Sequence, residues 1–169
     1  ANILVWGAQL EEGSFPTSYI PTSGSTVTRA GEYAAITGDA FNSFWNNNEF
    51  TVYHEAALVQ HADFDTAVYS LDDNSSAYNE VYFARGSYSN GFLAYVRSNN
   101  TTYVSLGDSD GIPTDGFHKA AFAVKADDVA ISVNETPLLT DTSVYSVPPA
   151  TRLALGMRTY RSFAEDNKV

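Results

Sequence analysis

The side chains of this chain that could do chemistry are carboxylates, three histidines and many tyrosines, because it contains no cysteine. Glycosidic bond hydrolysis needs two carboxyl groups facing each other at about 5 to 10 Å. Glu49 and Glu55 share one side of a strand-like segment, but Tyr53 stands between them on that side, so they read as a solvated edge. His54, His61 and His118 show neither His-x-x-x-His nor Glu-x-x-His spacing, and no serine and aspartate stand out to complete a nucleophilic triad. His118 reads as structural and His54 as facing inward. The chain is therefore expected not to be an enzyme.

Two other groupings favour binding over catalysis. Asp63 and Asp65 flank Phe64, 72–74 form an acidic turn, and Asp108, Asp110 and Asp115 ring the Gly-containing loop DSDGIPTDG. These are oxygen ligands of the kind a hard cation accepts, so calcium is the one cofactor the sequence allows for. The loop lacks the downstream Glu of an EF-hand, and a solvated acidic turn is the plainer reading. The second grouping is aromatic. Tyr95 and Arg97 share a face of one strand, and Tyr103 has matching parity on the next, so the three could converge across a hairpin, with Arg85, Tyr82 and Tyr88 extending the platform. Flat rings against the C–H face of a sugar, with polar groups for its hydroxyls, make a glycan site. The competing reading is that these tyrosines are ordinary sheet residues or subunit contacts.

The elements that must position these residues are short strands. Alternating or apolar runs fall at 3–8, 33–36, 50–58, 66–71, 78–85, 91–98, 101–106, 117–125, 129–133, 138–140 and 153–157, separated by turn compositions such as DDNSS, GSYSN and the pair Asn99–Asn100. Segment 38–48, which ends in FNSFWNNN, reads as a loop whose Phe41, Phe44 and Trp45 cap one end of the core. No helical period emerges. The pattern predicts an all-β fold, an antiparallel β-sandwich. In the leader, both faces of 3–8 look buried, and Trp6, Phe15, Tyr19 and Ile20 are expected to tie the tether down.

Composition agrees and excludes some functions. Hydrophobic residues make up 44% and aromatics 14%, with 11 Tyr and 10 Phe, which suits pleated, half-buried surfaces. A net charge of -11 disfavours binding to nucleic acid, whose affinity comes from clustered Lys and Arg. No run approaches the eighteen or so apolar residues that would span a bilayer, so membrane insertion is not expected. The chain opens at Ala1 inside a strand-like pattern, without an initiator Met, and reads as an excerpt of a longer polypeptide.

The string WGAQLEEGSFPTSYIPTSGSTVTRA, residues 6–30, resembles a segment found in many tailed-phage tail and head-fibre proteins. There it closes one carbohydrate-binding-module-like jelly roll and leads into a laminin-G-like, concanavalin A-like domain. A second stretch, GFHKAAFAVKADDVAISVNETPL at 116–138, is similar to the laminin-G pattern of a strand with a His followed by a hairpin. It departs at Glu135, where the family often has Gly, and the polar RTYRSFAEDNKV stands where a closing strand commonly follows. The Glu-x-Asp-x-x-Glu string of the related glucanases is absent.

The resemblance implies the last strand and tether of a preceding module at 1–22, a linker at 23–29, and a concanavalin A-like jelly roll at 30–169 whose closing strand is missing or supplied elsewhere. It implies a structural protein on the virion surface, on a tail or head fibre, binding host cell-surface polysaccharide without cleaving it. Its partners would be other virion proteins and further copies of itself, a trimer being one such form. The alternatives are a purely structural fibre or decoration module, and a glycan hydrolase or lyase.

Overall fold

A computed structural model describes residues 2–10, 18–27, 34–57, 66–75, 77–86, 91–108, 117–143 and 145–156. In chain order the elements are β1 (Ala34–Thr37), α1 (Gly38–Asn42), β2 (Glu49–Ala57), β3 (Thr66–Asp72), β4 (Glu80–Arg85), β5 (Phe92–Ser98), β6 (Thr101–Asp108), β7 (Phe117–Lys125), β8 (Asp128–Val133), β9 (Leu139–Asp141) and β10 (Arg152–Leu155). They build a six-stranded sheet in the order β1-β10-β3-β4-β5-β6 and a four-stranded sheet in the order β2-β7-β8-β9, with every pairing antiparallel. This is the expected jelly-roll β-sandwich.

The alternation in the strands explains the layers. Along β5, Phe92, Ala94 and Val96 are buried while Leu93, Tyr95 and Arg97 are partly exposed. Along β7, His118, Ala120, Phe122 and Val124 point inward, and along β8 so do Val129, Ile131 and Val133. These residues meet Tyr69, Leu71, Val81, Phe83 and Val104 of the larger sheet in one core between the sheets. The connections are tight where the residue types permit positive φ. Asn99 and Asn100 have φ of 50° and 62°, the pattern of a type I′ hairpin turn. Asn134 takes φ 49° beside Glu135, and its side-chain oxygen accepts from the Lys119 backbone N–H at 2.9 Å.

Two expectations are corrected. Segment 3–8 forms no strand and its residues are not buried: Trp6 is 85% exposed and Ile3, Leu4 and Val5 similarly so. An extended segment needs a neighbouring strand to satisfy its N–H and C=O groups, and no described strand pairs with it. The leader instead folds on itself: Trp6 meets Tyr19 edge to face at 6.2 Å, and Ile20 N–H donates to Gln9 Oε1 at 2.8 Å. Phe15 lies outside the described residues. The second correction is the short helix α1 within the expected loop 38–48. It buries Phe41 completely, with Trp45 stacked on it at 5.0 Å and Phe44 left 56% exposed. The polar segment 157–169, and with it any closing strand there, lies outside the described residues.

Two imidazoles sit inside the sandwich. His54 of β2 and His118 of β7 approach at 3.0 Å through their Nε2 atoms, packed by the rings of Phe83 and Tyr69. Burial, and next the neighbouring His118, push the His54 imidazole down to about 4 from its ordinary 6.5. Between these values the unfolded chain takes up a proton that the folded chain refuses, so stability falls as pH falls. We predict that the denaturant midpoint is flat with respect to His54 above pH 6.5, declines from there to about pH 4, and loses much of that decline in His54→Phe. Equilibrium unfolding across that pH range checks it. Phe122→Ala, which empties a fully buried position, should cost about 3–5 kcal/mol at neutral pH by the same assay.

Candidate functional site

The face of the six-stranded sheet turned away from the core carries the polar and aromatic residues that alternation excludes from the interior. Cross-strand register orders them in rows. One row runs Arg152–Asp72–Glu80–Arg97 across β10, β3, β4 and β5. The next runs Ala154–Ser70–Tyr82–Tyr95–Ser105, and a third contains Ala84, Leu93 and Gly107. Gly107 is required by that packing: a Cβ there would meet the Phe92 carbonyl oxygen at 2.6 Å and Leu93 Cδ2 at 3.2 Å.

The charged row consists of two ion pairs side by side. Arg152 Nε donates to Asp72 Oδ1 at 2.6 Å, Ser70 Oγ donates to Asp72 Oδ2 at 2.5 Å, and Arg97 donates to Glu80 Oε1 at 3.0 Å. Asp72 and Glu80 are completely buried, so each anion depends on its arginine for compensation. The β3–β4 turn closes over this end. Asp73 and Asn79 side chains bond at 2.8 Å, and Asn79 Oδ1 also accepts from Ser98 Oγ and the Asn99 N–H, fastening the turn to the β5–β6 hairpin. Tyr78, a bulky residue held at φ 49°, lays its ring 4.8 Å from the Arg97 guanidinium.

The residues expected to form a platform are divided by this geometry. Tyr95 and Tyr82 stack at 5.0 Å with planes 26° apart, but Tyr82 is 3% exposed, so it backs the Tyr95 ring without itself facing solvent. Arg97 lies one row from Tyr95 on the same face. Arg85 shares the parity of Val81 and Phe83 and is turned to the opposite face, almost fully buried. Tyr103 is the extra residue where the β5–β6 register shifts between Val96 and Arg97, and its ring lies 6.5 Å from that of Tyr145 in the inter-sheet core. Tyr88 lies outside the described residues.

Of the expected cation ligands, Asp108 ends β6 opposite Phe92, while Asp110 and Asp115 lie outside the described residues. Among the described residues no three His, Asp or Glu side chains converge as a metal site. Glu49 and Glu55, six residues apart on one extended strand, stand roughly 20 Å apart, too far to act as a pair. Glu55 instead accepts from the Tyr53 hydroxyl and pairs with Lys119 at 3.2 Å. Sequence reasoning missed Tyr78, Glu80 and Arg152; the only available signal for Glu80 was its parity with Tyr82.

Leaving a buried carboxylate without its cation is expensive. Arg152→Ala should therefore destabilise the fold by about 3–5 kcal/mol, whereas the paired replacement Asp72→Leu with Arg152→Met should recover most of that loss. Chemical denaturation of the two variants beside the unsubstituted chain checks both expectations.

No protein-family model matches the chain, and no curated protein matches it in sequence. Solved structures do match in shape. The CBM40 of Ruminococcus gnavus IT-sialidase, bound to α2,3-sialyllactose, superposes with a TM-score of 0.61 at 10% identity, covering 79% of this chain and 77% of that one. CBM66 from Bacillus subtilis gives 0.52 at 10% identity, with 76% of each chain covered. Mouse laminin α1 domains LG4–5 give 0.54 at 9% identity over 78% of this chain, which spans only 33% of the laminin chain. The chain thus has a laminin-G-like jelly-roll fold of the kind also found in carbohydrate-binding modules.

Proposed function

We propose that the chain is a non-catalytic glycan-binding module, with its site at the Tyr95–Arg97 rim of the larger sheet. The observation that carries this reading is the constellation at that rim. A half-buried tyrosine ring is stiffened from one side by Tyr82, with the Arg97 guanidinium one row away and the small, exposed Ser105 and Gly107 on the β6 side. A sugar ring stacked on the exposed part of Tyr95, from the β6 side, would have Arg97 and the tyrosine hydroxyl beside it for its hydroxyls. The shared fold with carbohydrate-binding modules supports this reading. Asp72 and Glu80, the carboxylates that register brings side by side, are each held by an arginine within the sheet, which favours binding without cleavage.

We propose further, from the resemblance of residues 6–30, that the module is displayed on a phage particle. There its ligand would be a host-surface polysaccharide and its neighbours other virion proteins, with 23–29 as the linker from a preceding module. Binding measured on a glycan array and then by calorimetry tests the site. Tyr95→Ala should weaken the best ligand about tenfold or more while the chain stays folded by circular dichroism, and Arg97→Lys should weaken it less. Affinity untouched by Tyr95→Ala would place the site elsewhere.

A further inference from the structure

The outer face of the smaller sheet is open, with Tyr53 60% and Phe117 49% exposed. Its two longest strands, β2 and β7, pair over nine positions, and alternation turns five of these pairs outward. Four of the five join unlike partners. Glu49 is opposite Lys125 and Glu55 opposite Lys119; Tyr53 is opposite Ala121 and Phe117 opposite Ala57; Thr51 and Ala123 form the row between Glu49–Lys125 and Tyr53–Ala121.

This ladder is complementary to itself. A two-fold axis lying along the strands, between β2 and β7, sets β2 of one copy over β7 of the other within the same rows. Glu49 then meets Lys125, Glu55 meets Lys119, Tyr53 rests on Ala121 and Phe117 on Ala57, each contact made twice. Sheets pack about 10 Å apart, a gap that two large side chains from each copy fill over the other's alanines. Other axes fail on charge: one on β7 sets both lysines over themselves, and one across the strands brings Glu49 over Glu55. Both lysines among the described residues lie on this face, in a chain of net charge -11. We propose that the chain pairs with a second copy of itself through the outer face of β2 and β7. The patch is roughly 30 Å by 15 Å, or about 900 Å² in total from both copies, below the about 1,200–2,000 Å² of a stable complex, so the dimer is weak and concentration-dependent.

Sedimentation equilibrium of the 169-residue chain tests this. The average mass should rise from 18.3 kDa toward twice that value as concentration increases from micromolar to hundreds of micromolar. Glu55→Lys or Lys119→Glu alone should weaken association about tenfold, the double reversal should restore it, and Ala121→Arg should abolish it. Because Glu55 and Lys119 also pair within one chain, the discriminating sample is an equimolar mixture of the two single variants: its mass should recover, since the reversed charges then match only across the interface, and a mixture that stays monomeric would overturn the proposal. A monomer at every concentration, a trimer, or a dimer indifferent to Ala121→Arg and to both single reversals would overturn the proposal.

Discussion

The larger sheet depends on a constraint of burial: its central strands are covered on both faces, so any charge placed there must be matched within the sheet itself. β4 has all six residues buried, with Val81 and Phe83 in the core and Glu80 on the far side. An unpaired carboxylate at that depth would cost several kcal/mol. Arg97 from β5 compensates it, and Arg152 from β10 does the same for Asp72 one strand away. The two ion pairs therefore set register as well as balance charge. A one-residue slip of β10 against β3 would turn Arg152 into the apolar core and leave Asp72 uncompensated. The Tyr82–Tyr95 stack lies one row along the same strands, so its geometry rests on that register.

Part of this was legible from composition and alternation. The strands 91–98, 117–125 and 129–133 alternate cleanly because one face of each is buried, and Asn99–Asn100 supplies the positive φ that a two-residue hairpin needs. Such signals are local. The charged row is not, since Asp72 and Arg152 are 80 residues apart and meet only once β10 enters between β1 and β3. Nothing near either residue announces that insertion. Tyr103 failed the parity rule for a related reason, because a register shift adds a residue that strict alternation cannot count. The leader was misread because alternation reports what a segment could bury, while burial itself needs a partner surface, and residues 3–8 have none among the described strands. Arg85 was grouped with Tyr82 although three positions on a strand always separate faces.

The two outer faces have opposite characters, and the chain's charge distribution accounts for the difference. Two of the three described arginines, Arg97 and Arg152, are held by acids on the larger sheet's outer face, and Arg85 is buried, so that sheet offers little unspent positive charge. Lys119 and Lys125 stand on the smaller sheet beside Glu55 and Glu49, where the local sum is close to neutral. For a molecule of net charge -11, the approach of a second copy is opposed everywhere that acids dominate, and least opposed where each charged row carries both signs. The same reasoning bears on ligands. An uncharged sugar pays no electrostatic cost at the Tyr95 rim, whereas a polyanionic chain would have to draw Arg97 from a fully buried Glu80 or remain unpaired among acids. Charge thus separates the two faces, one with its arginines already engaged by buried acids and one with exposed Glu–Lys pairs, with the His54–His118 pair packed between the sheets that carry them.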